Sequence, residues 1–320
     1  MFRFVFPQDK QISKEVFNLA LPVIVSNLSR VLMSMVDVAM VGRLGAEALA
    51  ATGMGAMLFW GALSFVLGIR TGVQTLASRR LGQKIDKECG TALHNGLFMA
   101  TLYALPISLA GWLWARDFIP FFIQDITATR LAIDYTSIVF ISLLFSAYSF
   151  VFQGFFTGVE KTKVHMNVTV TSNAINVYLN AGLIYGSDGV TQFFADTIPS
   201  LSFLSKLWQW TTFPAMGVKG AAIATLVAST WMAMHYFSFL FSSQIKDRFS
   251  VFNLSTDRTM MMRQLKLALP QGIQEAVIAV GWSVFYKIMG MIGLIELATT
   301  ELLFTIMHAS FMPALGVGQA

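Results

Sequence analysis

One carboxylate, Asp37, lies inside an apolar run covering residues 17–41, and Val38, Ala39, Met40 and Val41 continue the run beyond it. A carboxylate at the centre of a membrane helix costs about 3 kcal/mol on insertion scales unless it faces a cavity or a partner. Asp37 is therefore a candidate for binding a proton or a cation. The competing reading ends the helix earlier and leaves Asp37 at the interface, which the apolar residues after it disfavour. A second set stands further along the chain. Thr169, Asn173, Asn176 and Asn180 recur at spacings of four, three and four, which puts them on one face of a helix. Hydroxyl and amide oxygens with a carboxylate are hard ligands that suit Na⁺, whereas desolvation favours the protonated form of a carboxylate and suits H⁺ exchange. Hydrogen bonding between helices, worth about 1 kcal/mol per contact, explains the same stripe without any ligand.

These residues need helices to carry them, and the composition supplies them. The chain is 55% hydrophobic and 12% charged, against roughly 25% charged in soluble domains. Eight segments of about 20 or more mostly apolar residues read as membrane spans: 17–41, 53–76, 92–114, 132–157, 164–185, 221–242, 265–290 and 297 to the chain end. The polar first fifteen residues lack the pattern of a cleaved signal, so the first span is expected to stay. With the N-terminus in the cytoplasm of an inner-membrane protein, inner segments hold fourteen Lys and Arg residues and outer segments five, counted from the sequence. This positive-inside bias accounts for the net charge of +5 without nucleic acid binding. In this orientation Asp37 and Asn180 share the outer half of the membrane. Asp37, Asn176 and Asn180, with Asn173 beside them, thus form a candidate H⁺ or Na⁺ site. Thr225 in the sixth span adds a hydroxyl or is satisfied by its own helix backbone. No cofactor and no other metal is expected, because His94, His165, His235 and His308 lack ligand spacing. The lone Cys89, placed in a charged loop, has no partner for a disulfide. With no GxSxG, Walker or HExxH motif, the chain does not read as an enzyme.

The sequence also repeats itself. Residues 16–72 align without gaps on residues 264–320 with twelve identities, where about four or five are expected of unrelated apolar helices. They include Leu19-Ala20-Leu21-Pro22 with Leu267-Ala268-Leu269-Pro270, Gly42 and Gly45 with Gly290 and Gly293, Leu49-Ala50 with Leu297-Ala298, and Leu67-Gly68 with Leu315-Gly316. Six spans separate the copies, which implies two six-helix bundles about a central cavity. The expected division is a six-helix lobe over 1–242, a cytoplasmic connector over 243–264 serving as a hinge or tether, and the start of a second lobe over 265–320. The chain stops at Gly316-Val317-Gly318-Gln319-Ala320 in an apolar stretch, which reads as truncation. The aromatic outer loop over 186–216 is either an interfacial amphipathic helix or a packed loop.

Leu21-Pro22, Val36-Asp37, Gly42-Arg43-Leu44-Gly45 and Ala48-Leu49-Ala50-Ala51 resemble the first helix and following turn of the multidrug and toxic compound extrusion (MATE) transporters. Residues 217–225, GVKGAAIAT, resemble the start of that family's sixth helix. The stretch 153–158, QGFFTG, followed by Lys161 and Thr162, resembles the end of its fourth. The resemblance covers the whole chain, about two thirds of a typical member. It implies an all-α polytopic membrane protein, the first six-helix lobe plus the first two helices of the second. It also implies export of amphipathic, often cationic small molecules across the bilayer in exchange for H⁺ or Na⁺, with Asp37 in the cation site. Asn180 agrees with the NorM-type branch, where another branch has aspartate.

One departure from the family pattern concerns the glutamate that many members carry eight residues after the proline of span seven. Here that position is Ile278, and Glu275 stands three residues earlier. The repeat-equivalent of Ile278 in span one is Arg30, and a buried arginine needs an acidic partner or water. A charge pair between Arg30 and Glu275 is therefore expected. Arg70 and Lys287 also fall within spans and are expected to snorkel to an interface. Met57, Phe59, Trp60, Phe152, Phe155 and Met289 are candidate lining for a drug cavity, or simply core and lipid-facing residues. The remaining alternatives are a lipid-linked oligosaccharide or lipid flippase of related architecture, which would bind anionic headgroups, and a membrane-embedded transferase.

Overall fold

Hydrocarbon offers the backbone no hydrogen-bond partner, so long apolar segments become helix. The computed structural model describes residues 10–123, 125–197 and 199–293, and after them 295–297, 299–300, 303–304 and 306–307. All regular structure among these residues is helical: α1 (Lys10–Gly42), α2 (Ala46–Gly82), α3 (Asp86–Phe118), α4 (Ile126–Ile141), α5 (Leu143–Gly158), α6 (Thr162–Thr197), α7 (Val218–Phe239), α8 (Ser243–Phe249) and α9 (Arg258–Ile292), with a 3₁₀ turn after α3 and a ten-residue 3₁₀ stretch, Pro199–Trp208, after α6. Most of the last expected span lies outside the described residues. So do Arg3, Ala298, His308, Leu315, Gly316 and the C-terminal residues behind the expected truncation.

Among the described residues, four segments are long and apolar enough to cross a membrane alone: Phe17–Gly42, Ala46–Gly82, Asp86–Phe121 and Arg258–Ile292. The expected fourth span is two helices, α4 and α5, bent by 46°. Ser142 stands at the break, where its hydroxyl donates to Val139 O at 2.6 Å and competes with the helical ladder. The break between α7 and α8 is sharper, at 73°. α6 has 36 residues but is not one of the four long apolar segments, and Asn167, Asn173, Asn176 and Asn180 lower its hydropathy. It kinks at Gly186, whose φ of 76° suits a residue without a Cβ. Beyond the kink, Trp208, Phe194 and Phe213 pack on Tyr178 and Tyr185, while Phe203, Leu207 and Trp210 point outward. The aromatic loop thus has a packed face and an exposed one.

α2 is the centre of the bundle and packs on α3, α4, α5 and α9. Its Val66, Ile69 and Val73 meet Leu143, Ala147, Val151 and Phe155 of α5, Leu93 and Ala100 of α3, Tyr236 of α7 and Ala268 of α9. α9 approaches so closely that a Cβ on Gly68 would strike the carbonyl of Ala268. Cys89 is no loop residue: it is buried in the first turns of α3, where its thiol meets Ala77 O at 3.4 Å.

The segment between α7 and α9 is packed against the bundle. Ile245 and Phe249 of α8 are buried. Arg248 Nε pairs with Asp86 at 2.8 Å. His94 Nε2 meets Val251 O at 2.7 Å, Asn95 Nδ2 donates to Asp257 O at 3.1 Å, and Asp257 N donates back to Asn95 Oδ1 at 3.3 Å. Asp257 then caps α9, its Oδ1 accepting from Thr259 N at 2.6 Å and Met260 N at 3.0 Å. The connector is bonded along α3 because His94 and Asn95 face it with donors and acceptors that its irregular backbone lacks.

Candidate functional site

α1 packs along α6, and the polar stripe of α6 lies in that seam. Asn180 Nδ2 donates to Asp37 Oδ1 at 2.6 Å and to Asn176 Oδ1 at 2.9 Å. Asn176 and Asn180 are 1% and 2% exposed. Asn180 Oδ1 and Asn176 Nδ2 are both buried without a hydrogen-bond partner, an arrangement that costs about 1–3 kcal/mol per group unless something else satisfies it. Asn173 turns to α1 one layer further in, donating to Ser29 Oγ at 2.8 Å. Thr169 belongs to a different group, its hydroxyl 3.2 Å from His165 Nδ1. The stripe is continuous in sequence and divides in space.

Beside Asp37 a cavity of about 110 Å³ opens between α1, α2, α4, α6 and α7. Ser34, Thr52, Tyr135, Asn180 and Thr225 line it together with Asp37. Thr225 Oγ1 donates to Ala221 O at 3.0 Å, so its proton is spent on its own helix while its oxygen lone pairs stay available to the cavity. Gly53 and Ala56 also line it; their small side chains leave room. Sequence reasoning missed Ser29, Ser34, Thr52 and Tyr135, whose hydroxyls come from apolar stretches of three helices and form no periodic stripe. Among the described residues no group of three or more His, Cys, Asp or Glu could hold a metal ion, so any cation here meets one carboxylate and neutral oxygens.

Arg30 and Glu275 are not brought together as an ion pair. Arg30 lies over the Phe150 ring, 5.8 Å from its centroid, and Glu275 accepts from Gln271 Nε2 at 3.1 Å. Arg70 does not snorkel either: its Nε is buried without a hydrogen-bond partner. Lys287 sits 3.4 Å from the centroid of the Phe121 ring. Of the cavity candidates, Phe152 and Phe155 are core, Met57 and Met289 pack around a second cluster with Ala50 and Tyr286, Phe59 meets Phe140 edge-on, and Trp60 is 43% exposed.

Comparison with known proteins extends this picture. The chain is 25% identical to a probable multidrug resistance protein NorM of Mesorhizobium japonicum over 307 residues, covering 94% of this chain and 60% of that protein. It is 22% identical to a probable NorM of Thermotoga maritima over 324 residues, covering 100% and 64%. The chain thus spans about 60% of the length of such relatives. An outward-facing multidrug resistance MATE family transporter of the MOP superfamily shares the fold, with a TM-score of 0.77, 20% identity, and coverage of 96% of this chain and 62% of that one. A MOP superfamily transporter from Pyrococcus furiosus also gives a TM-score of 0.77 at 20% identity, with the same coverage. The MatE family model matches residues 22–181, half of the chain, from Pro22 of α1 past Asn180 of α6. Asp37 and the asparagines that hold it thus fall within the matched region, and the chain belongs to the MatE family.

Proposed function

We propose that this chain is the greater part of a cation-coupled antiporter that exports amphipathic, often cationic small molecules, with Asp37 and Asn180 as the heart of the coupling site. The observation that carries the reading is the Asn180–Asp37 hydrogen bond beside a small polar cavity. Amide orientation follows from bonding context, and these three side chains have two self-consistent arrangements. With Asp37 ionised and no cation, the Asn180 amide nitrogen faces the carboxylate. With Asp37 protonated or a Na⁺ beside it, the amide turned over presents Oδ1 instead, and a turned Asn176 supplies Nδ2 to the same oxygen. Occupancy by H⁺ or Na⁺ thus changes what α6 offers α1.

Coupling requires that the cation bind one conformation of the protein better than another. The α1–α6 seam, the bent α4–α5 pair and the α7–α8 break are places where such conformations can differ. The inner-membrane location, the cytoplasmic N-terminus and the division into a lobe over 1–242, a connector over 243–264 and a second lobe from 265 belong to the same proposal, supported by the charge bias and the internal repeat. The family's proteins transport rather than catalyse, in keeping with the absence of nucleophile–base motifs in the sequence. The test is ethidium efflux from drug-sensitised cells expressing the gene, under imposed H⁺ or Na⁺ gradients. Export should follow one of the gradients and be lost in Asp37→Asn; wild-type rates in that variant would overturn the mechanism.

A further inference from the structure

The chemistry that the cation site leaves unused is concentrated in two arginines. Arg30 is at the middle of the apolar part of α1, and Arg70 is on α2, a helix that is buried against most of the bundle. They lie within electrostatic reach of one another, and both lie within reach of His165 and Tyr236. The carboxylate that acts on Arg70 through space is Glu275 on α9, which keeps its hydrogen bond with Gln271. The three ion pairs among the described residues involve neither arginine.

Among the described residues, Glu275 is the one carboxylate named in the charges that act on Arg30, Arg70, His165 and Tyr236. His165 is held between Tyr236 Oη at 2.5 Å and Gln153 Nε2 at 3.1 Å, and Tyr236 is stacked on Phe152 and Phe156. This is a rigid aromatic and amide floor. Phe150 lies beneath the Arg30 guanidinium, with Trp60 edge-on to it. Two guanidiniums against one carboxylate leave a net positive charge at membrane depth, a costly state unless a mobile anion or cavity water completes it. Guanidinium N–H groups bind oxyanions in bidentate fashion, and Arg70 Nε is a buried donor with no acceptor. Both arginines keep part of their surface open.

We propose that Arg30 and Arg70 form an oxyanion-binding site, taking the carboxylate of a zwitterionic amphiphile or the phosphate of a lipid headgroup, with Phe150 and Trp60 against its apolar body. The transport reading enters only in naming the ligand as cargo; binding is measured without any gradient, so failure of either idea is visible by itself.

The experiment uses purified protein in nanodiscs of phosphatidylcholine and measures binding of norfloxacin and of its decarboxylated analogue by quenching of tryptophan fluorescence. The wild type should bind norfloxacin roughly tenfold more tightly than the analogue, the worth of one charge-assisted hydrogen bond. Arg70→Gln and Arg30→Gln should lose that preference while still binding the analogue, and Arg70→Lys should keep part of it. Because phosphatidylcholine itself carries a phosphate, repeating the titration in dodecyl maltoside micelles, which carry none, with and without added phosphatidylglycerol separates the sources. Weakened norfloxacin binding in the wild type alone identifies lipid phosphate as a second occupant of the site, and unchanged binding confines the site to the soluble carboxylate. Equal affinity of the wild type for norfloxacin and its analogue would overturn the proposal even if no variant folds, as would equal loss of both ligands in well-folded variants.

Discussion

Asn180 donates to Asp37 across the α1–α6 seam at 2.6 Å, while its own carbonyl oxygen is buried with no partner. An amide that satisfies a carboxylate with one end and leaves the other unmet is poised to reverse when the charge of that carboxylate changes. Replacing it separates its two roles. Asn180→Leu removes the donor and the latent acceptor, and cation-dependent efflux should fall by roughly tenfold or more, the scale of a hydrogen bond to a charged group. Asn180→Asp removes the donor but adds an acceptor; it should retain efflux with a steeper dependence on cation concentration. Initial rates of ethidium export over a series of Na⁺ and H⁺ concentrations check both.

The cavity beside Asp37 is small, and its walls include Gly53. Gly53→Leu should fill the space, block cation access and reduce efflux, while the melting temperature in detergent changes little. Wild-type transport in a variant of unchanged or raised stability would show that the cavity is only a packing defect.

The α2–α9 contact depends on the missing side chain at Gly68, opposite the Ala268 carbonyl. Gly68→Val forces backbone apart in a closely packed core, at a cost of about 1–3 kcal/mol. The expected result is a lower apparent Tm and greater protease sensitivity between α8 and α9. The exposed Leu102→Val on α3 serves as the control and should behave as wild type.

The connector was legible in composition and illegible in conformation. Its polar residues mark it as lying outside the membrane, but nothing in their order shows that Asn95 bonds both backbone groups of Asp257. Asn95→Ala removes two hydrogen bonds worth about 1 kcal/mol each. Hydrogen exchange of residues 251–257 should accelerate, with helix content unchanged.

The helices that carry the candidate residues were legible in the sequence, because helical periodicity is local. The spacing of Asn173, Asn176 and Asn180 puts them on one face, and the apolar residues after Asp37 put it inside a helix. What periodicity cannot carry is the partner across the seam. Thr169 shares the stripe yet meets His165 one turn back on α6, a ring that Gln153 of α5 and Tyr236 of α7 hold in place, and Arg30 faces Phe150 of α5 rather than Glu275. The bend at Ser142 escaped for a related reason: a serine in an apolar run reads as tolerated until its hydroxyl is seen to take the Val139 carbonyl. Ser34, Thr52 and Tyr135 line the cavity as single residues from separate helices, a constellation that only the folded chain assembles.

Asp37 is the residue proposed to carry the coupling ion. The most direct measurement is cation movement in proteoliposomes driven by an imposed ethidium gradient, followed as ²²Na⁺ flux and as internal pH. Wild-type protein should move one of these cations against the drug, and Asp37→Asn should abolish that movement while leaving drug binding within a few-fold of wild type. Undiminished drug-driven cation flux in Asp37→Asn would contradict the account.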